Sequence, residues 1–381
     1  MIYMDYNATT PVHPEVLEAF LPFYREGFGN PSSIHWAGRR VKGVVEDARA
    51  KVAELVNCDP SEVVFTSCGT EADNMAIKGV ASALRAKGNH IITTRVEHPA
   101  VINSCLYLEQ AGYDVTRLDV DRAGMPDLDA LEGAVTSRTI LISAMYANNE
   151  TGVIFPVKEI GDIAARHRVY FHCDAVQAAG RIPVDCRELN IHLLALSGHK
   201  LYAPKGIGAL IVRKGVKLHP LIHGGSQERN RRAGTENVAG IVALGKACEL
   251  AKATSASESG RLERLRDRLE RCILEKIPTA RINGHPAKRL PNTANISFPD
   301  TEADSLLVSL DLEGVAVSSG AACSSGALKT SHVLAAMGVD PLVAKGSVRF
   351  SLGRESTEAD VDYVLEVLPG IVERLRKNSE K

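Results

Sequence analysis

The chain repeats one pattern: a short apolar run, a turn of small or polar residues, then a stretch with helical spacing. The runs are Val63-Val64-Phe65, Ile91-Ile92-Thr93, Ile140-Leu141-Ile142, Val169-Tyr170-Phe171-His172-Cys173 and Leu193-Leu194-Ala195-Leu196. Runs this short, separated by helical segments, read as buried strands of a parallel sheet with helices on both faces. That arrangement constrains function too, because ligands bind beyond the carboxyl ends of such strands. His98, Asn149, Asp174, Gln177 and Lys200 all follow runs of this kind. They are expected to converge on one rim.

Two of them carry the chemical argument. Lys200 closes Ser197-Gly198-His199-Lys200, directly after an apolar run and before Pro204, Gly206 and Gly208. Desolvation at such a place favours the free, nucleophilic amine; a solvated loop lysine is the competing reading. Asp174 ends the preceding run, and an acid at a buried strand end costs free energy unless a cation meets it. A protonated pyridine nitrogen is such a cation, and pyridoxal 5'-phosphate needs an acidic partner there to act as an electron sink. A strand-end Asp followed by a strand-end Lys is the arrangement a pyridoxal enzyme requires. Ser67-Cys68-Gly69-Thr70, between a strand and a helix, offers free N–H groups and a helix dipole to a phosphate. A simply capped helix is the alternative. The glycine and lysine spacings of a P-loop or a dinucleotide fingerprint are missing.

Composition narrows the field. Of 381 residues, 45% are hydrophobic and 24% charged, with a net charge of −1, so there is no global basic field for nucleic acid or an anionic membrane. No apolar run reaches membrane-spanning length and no signal peptide is read at Met1-Ile2-Tyr3-Met4-Asp5. The eight cysteines form no C-x-x-C pair, so no metal site is expected, and reduced thiols in the cytoplasm are.

Residues 1–13 read as an extended arm. Pro22 is expected to shorten a helix over Glu15 to Arg25, and a long helix is expected from about Ala37 to Val56. Ser255 to Gly260 reads as a hinge between a small-residue helix and a charged one. Strands near Asn295, Val315 and Val348, with helices near Ala303 and from Glu358, form a smaller α/β domain. The expected division is a large domain of 14–257 and a small one of 1–13 with 258–381. In the latter, Ser318 to Gly326 carries minimal side chains around Cys323. A cysteine in such an open loop is a candidate nucleophile, against the plainer reading of a small apolar filler.

In this order along nearly the whole chain, Asp5-Tyr6-Asn7-Ala8-Thr9-Thr10-Pro11, Gly69-Thr70-Glu71-Ala72-Asp73-Asn74, Glu97-His98, Asn148-Asn149-Glu150, Asp174-Ala175-Val176-Gln177, Ser197-Gly198-His199-Lys200, Arg232-Ala233-Gly234-Thr235, Ser318 to Cys323 and Arg349 to Arg354 resemble the NifS/IscS family of cysteine desulfurases. The resemblance implies a fold-type I pyridoxal phosphate-dependent transferase. Its large domain would hold a mostly parallel seven-stranded sheet beside a smaller α/β domain, and it would act as a homodimer. It implies conversion of L-cysteine to L-alanine with a persulfide on Cys323, for an iron–sulfur scaffold or another sulfur acceptor.

By motif, Lys200 would bind the cofactor covalently and move protons, Asp174 would pair with the ring nitrogen, and Gln177 would contact the ring hydroxyl. His98 would stack on the ring and assist proton transfer, against a helix-capping or core role. Gly69, Thr70, Ser197 and His199 would hold phosphate, with Thr235 doing so from the neighbouring subunit. Asn149 would border ring and substrate, and Arg349 would hold the substrate carboxylate, against a surface ion pair. The chain ends at Lys381, without the longer C-terminal tail of housekeeping members, which leaves the acceptor open. Two other readings stay in play: another fold-type I enzyme such as a selenocysteine lyase or aminotransferase, and a non-catalytic sulfur carrier.

Overall fold

The expected sheet is present in the computed structural model of the chain, which describes residues 1–319 and 331–379. Seven strands lie in the order Val63–Thr66, Gly208–Val212, Leu193–Ser197, Tyr170–Asp174, Thr139–Met145, His90–Thr94, Asp114–Leu118. Gly208–Val212 runs antiparallel to both neighbours; the pairings from Leu193–Ser197 through Asp114–Leu118 are parallel. The strands Leu193–Ser197 and Thr139–Met145 are buried along their whole length, which is why they read as unbroken apolar runs rather than alternating ones. A Cβ on Gly208 would fall 2.7 Å from the Leu196 carbonyl oxygen and 2.8 Å from the Cys68 carbonyl carbon, so only glycine lets the antiparallel strand start there.

Helices cover both faces. Trp36–Leu55 buries Val41, Val45, Ala48 and Val52 at helical spacing in the core on one face. Met75, Ile77, Val80 and Val101 sit in a second cluster on the other face, with Leu193, Ala195 and Leu210 from the strands. Pro22 does divide the early helix, into Pro14–Phe20 and Pro22–Arg25.

A four-stranded antiparallel sheet, ordered Ser318–Ser319, Ser347–Ser351, Thr293–Ser297, Arg281–Asn283, forms the second layer with its own core of Ile296, Phe298, Leu306, Val348 and Phe350. The expected hinge at 255–260 is helical instead. A single 39-residue helix, Val238–Lys276, runs through it. Its first half (Ile241, Leu244, Ala247) packs in the large core and its second (Leu262, Leu265, Leu269) in the small one. The polar residues that suggested a break bond back to the backbone: Thr254 Oγ1 donates to the Leu250 carbonyl and Ser257 Oγ to that of Thr254.

The N-terminal arm links the two sheets. Ile2–Tyr3 pairs in parallel with Val315–Ala316, and Asp5 bridges to Ser351. The Tyr6 ring then packs against Gly353, where a Cβ would come within 2.1 Å of it. Further on, the Thr10 amide donates to the His199 carbonyl, 3.0 Å away, beside the lysine turn. No helix among the described residues is long and apolar enough to cross a membrane.

Candidate active site

Adjacent parallel strands bring the two expected chemical groups together. Asp174 is the last residue of Tyr170–Asp174, and Lys200 ends the turn Gly198–Lys200 that follows the neighbouring strand Leu193–Ser197. Burial holds the Asp174 carboxyl above its usual range, opposed by the nearby His98 imidazole, the Val176 amide and Lys200. The amide bonds Asp174 Oδ1 at 2.9 Å. A buried carboxylate so placed gains most from a cation set against it. Lys200 is half-buried. Its amine donates to two arm carbonyls, that of Asn7 and, at 2.7 Å, that of Ala8.

His98 does two things at once. Its Nδ1 accepts the Ala100 amide at 3.1 Å, capping the helix Pro99–Gln110. That fixes the neutral ring with its proton on Nε2. One donor atom from each of His98, Asp73 and Asp174 lies within 4.8 Å of those of the other two. Burial lowers the His98 pKa against the pull of Asp174, with Lys200 and His332 lowering it further. Behind this face stand two more buried carboxyls. Burial raises Glu97 to about 8 despite bonds to its Oε1 from Thr94 Oγ1 (2.7 Å) and the Met145 amide (3.1 Å). Burial and the neighbouring Asp174 push Asp73 well up. Its Oδ1 lies 3.3 Å from His172 Nε2 but too poorly aligned to hydrogen-bond.

The third element is a helix start whose first amides are unanswered. The helix Gly69–Ala83 begins without a side-chain cap, so its first amides are not answered from Cys68. Gly69 is packed so closely that a Cβ would lie 2.8 Å from Val176 Cγ2 and 3.3 Å from Ser197 Cβ. Ser197 Oγ beside it is buried with no hydrogen-bond partner. Thr70 is exposed at the helix start. His199 Nδ1 lies 3.1 Å from Thr9 Oγ1, and burial with Lys200 and Lys205 lowers its pKa to about 4.

Gln177, Asn149 and Arg349 meet at the arm. Gln177 Nε2 donates to the Asn7 carbonyl at 3.1 Å, and its Oε1 accepts from Arg181 at 2.7 Å. The Asn149 carbonyl accepts from Asn7 Nδ2 and from Arg349 Nη1. Arg349 comes from the central strand Ser347–Ser351 of the small sheet and is buried. Thr235 is exposed on its loop and bonds to none of these residues, while Arg232 in the same loop pairs with Glu71 at 2.8 Å. Cys323 lies outside the described residues. Sequence reasoning gave no role to Asp73, to the Glu97 carboxyl, to Asp5 and Asn7, or to His332, whose Nε2 is 3.0 Å from the Glu97 carbonyl. Glu97, Asp73 and Asn7 stand inside recognisable motifs, which is the signal that marked their neighbourhood.

A buried acid, an amine after the adjacent strand, an imidazole beside the acid and an orphaned hydroxyl next to a bare helix start lie along one edge of the large sheet. These donors fit a phosphorylated pyridine aldehyde: amine for the aldehyde, acid for the ring nitrogen, helix start and Ser197 for the phosphate.

Comparison with known proteins agrees with that donor set. The class-V aminotransferase family matches residues 2–364. The chain is 53% identical over 375 residues to a protein named cysteine desulfurase IscS from Dictyoglomus turgidum, covering 98% of this chain and 95% of that one. It is 54% identical to one of the same name from Methanosarcina thermophila, over 99% and 93%. A solved NifS-like protein superposes with a TM-score of 0.93 at 40% identity, over 98% of this chain and all of the other. The chain belongs to the cysteine desulfurase family of class-V aminotransferase-fold enzymes.

Proposed function

We propose that the chain, as a pyridoxal phosphate enzyme, takes sulfur from L-cysteine, releases L-alanine and carries the sulfur as a persulfide on Cys323 to an acceptor protein, such as an iron–sulfur scaffold. The observation that carries this reading is the placement of Asp174, Lys200, His98 and the orphaned Ser197 Oγ along one edge of the large sheet, in a chain 53% identical to a cysteine desulfurase.

Pyridoxal phosphate supplies an electron sink when bound. Lys200 Nζ is the amine that would attach it and move the proton at the substrate Cα. Asp174 would offer the ring nitrogen a buried carboxylate. His98, neutral with its proton on Nε2, would lie against the ring and could donate that proton. Gln177 would contact the ring hydroxyl. Gly69, Thr70, Ser197 and His199 would hold the phosphate, joined by Thr235 of a second copy in a homodimer. Arg349 binds the substrate carboxylate and Asn149 borders it. The Cys323 thiolate attacks the substrate sulfur: an S–S bond forms and the Cβ–Sγ bond breaks. Its electron pair stays on Cβ, which takes a proton and becomes the methyl of alanine. Seven described cysteines are free, which suits a reducing compartment, and we place the protein in the cytoplasm.

The test is an absorption spectrum of the yellow holoenzyme before and after L-cysteine, with alanine and acceptor-bound sulfur quantified. Stoichiometric alanine with sulfur retained on the protein is expected, and Cys323→Ala should abolish both. Alanine at the wild-type rate from that variant would point instead to a lyase or aminotransferase. A colourless protein that gains no band on adding pyridoxal phosphate would make it a carrier.

A further inference from the structure

Arg349 is held in an unusual state for a residue expected to bind a substrate. The guanidinium is buried, and two of its three nitrogens are already engaged. Nη1 donates to the Asn149 carbonyl at 2.9 Å, and Nη2 donates to Asp5 Oδ1 at 2.7 Å. Nε is buried with no partner among the described residues. A buried N–H left unmade carries an uncompensated desolvation cost, so the fold retains this one against a penalty.

Asp5 is itself fixed. Its backbone bridges to Ser351, two residues from Arg349 on the same strand, and its carbonyl accepts from Tyr3 Oη at 3.0 Å. The Asp5 backbone is therefore tied to the strand that carries Arg349, which anchors the stem of its carboxylate beside the guanidinium. Tied at Nη1 and at Nη2, the arginine is held in one orientation and keeps Nε–H, on the Nη2 edge of the guanidinium, as its unpartnered donor. That edge is the fork a carboxylate matches.

We propose that Asp5 is a positioning residue for substrate recognition, aiming the Arg349 fork at the α-carboxylate of the amino-acid substrate. The inference rests on the functional reading above, in which Arg349 is the carboxylate site. Asp5 touches Arg349 and not the reacting atoms, so its effect belongs to binding and to discrimination rather than to the chemical step. It also brings a negative charge near the incoming carboxylate, so it aims the fork at some cost in attraction.

The experiment uses the cofactor-loaded enzyme. Asp5→Ala is expected to raise KM for L-cysteine about tenfold with kcat changed less than about threefold, the loss of one charge-assisted bond. The dissociation constant for the product L-alanine, read from the change in the cofactor's absorption, should rise in parallel. Cysteamine, which has the amine and thiol but no carboxylate, should bind both proteins alike. Asp5→Asn keeps an acceptor for Nη2 and should recover most of the affinity. A KM unchanged or lowered by Asp5→Ala would overturn the proposal, a lowered one showing that Asp5 blocks the fork. So would a loss shared equally by cysteamine, which signals general disorder. Wild-type enzyme that makes no alanine would defeat the functional reading alone, since L-alanine binding, measured without turnover, still tests the contact in both variants.

Discussion

The rim of the large sheet and the N-terminal arm meet around Lys200 by opposite means. Rim groups sit where their strands end: Asp174 and Lys200 are neighbours because Tyr170–Asp174 and Leu193–Ser197 are paired in parallel. Their polar atoms are under-used, with Ser197 Oγ, Glu97 Oε2 and Asp73 Oδ1 buried and unpartnered. The arm is saturated. Asn7, only 1% exposed, uses its amide, carbonyl and side chain on Ser351, Lys200, Gln177, Asn149, Thr293 and Asn292. Unmet groups on the rim cost stability and await ligands, whereas met groups in the arm hold the two sheets in register. Chemistry and stability should therefore separate by region.

The strongest way to break that separation is Lys200→Ala. Its loss should cut alanine formation by about a thousandfold or more while leaving the urea midpoint nearly unchanged. The Asn7 carbonyl keeps Gln177 Nε2 as a donor in that variant, so the arm stays in place. Alanine release at wild-type rate, or a large fall in midpoint, would contradict the contrast. Asp174→Ala is next, with about a hundredfold loss of turnover and a shifted cofactor absorption band, since the ring nitrogen loses its buried counter-charge.

The same contrast explains what could be read without coordinates. His98, Asp174 and Lys200 are legible because a parallel sheet puts successive strand ends on one edge, whatever the details of packing. Gly208–Val212 was not, because its apolar run follows the lysine loop so closely that it reads as the loop's tail, and pattern alone does not show strand direction. The Asp5–Arg349 pair joins positions 344 apart, and no local periodicity encodes such a contact. The continuous helix through 255–260 was missed because serines and a glycine weaken helix propensity, while its two apolar halves, each anchored in a different core, override it. His98 shows that rival readings can both hold, as it caps a helix and faces Asp174 together.

Asn7→Ala tests the arm from the other side. Removing its side chain takes one hydrogen bond from each of the buried Asn292 and Thr293 side chains, at about 1–3 kcal/mol. The urea midpoint should fall, with kcat falling by less than in Lys200→Ala. A stable variant with Lys200-like loss of turnover would place Asn7 in the chemistry rather than in the frame.

The last effect, on stability rather than turnover, belongs to the rim's spare carboxyl. Glu97 has a folded pKa of about 8 against an ordinary 4.5, because burial outweighs its bonds from Thr94 and Met145. A raised folded pKa means that the native state keeps a proton the unfolded chain has already lost. Its contribution is thus whole below about pH 4.5 and declines as pH rises through 8. Glu97→Gln copies the protonated shape, with an amide that can still accept from Thr94 and Met145, but has no proton to lose. Measured by urea unfolding from pH 5 to 9, the wild type should lose stability relative to Glu97→Gln across that window, and the difference should level off above it. Parallel curves would mean that Glu97 is ionised in the fold. In that case the rim carries a second buried charge beside Asp174 and is less under-used than the arm's saturation makes it look.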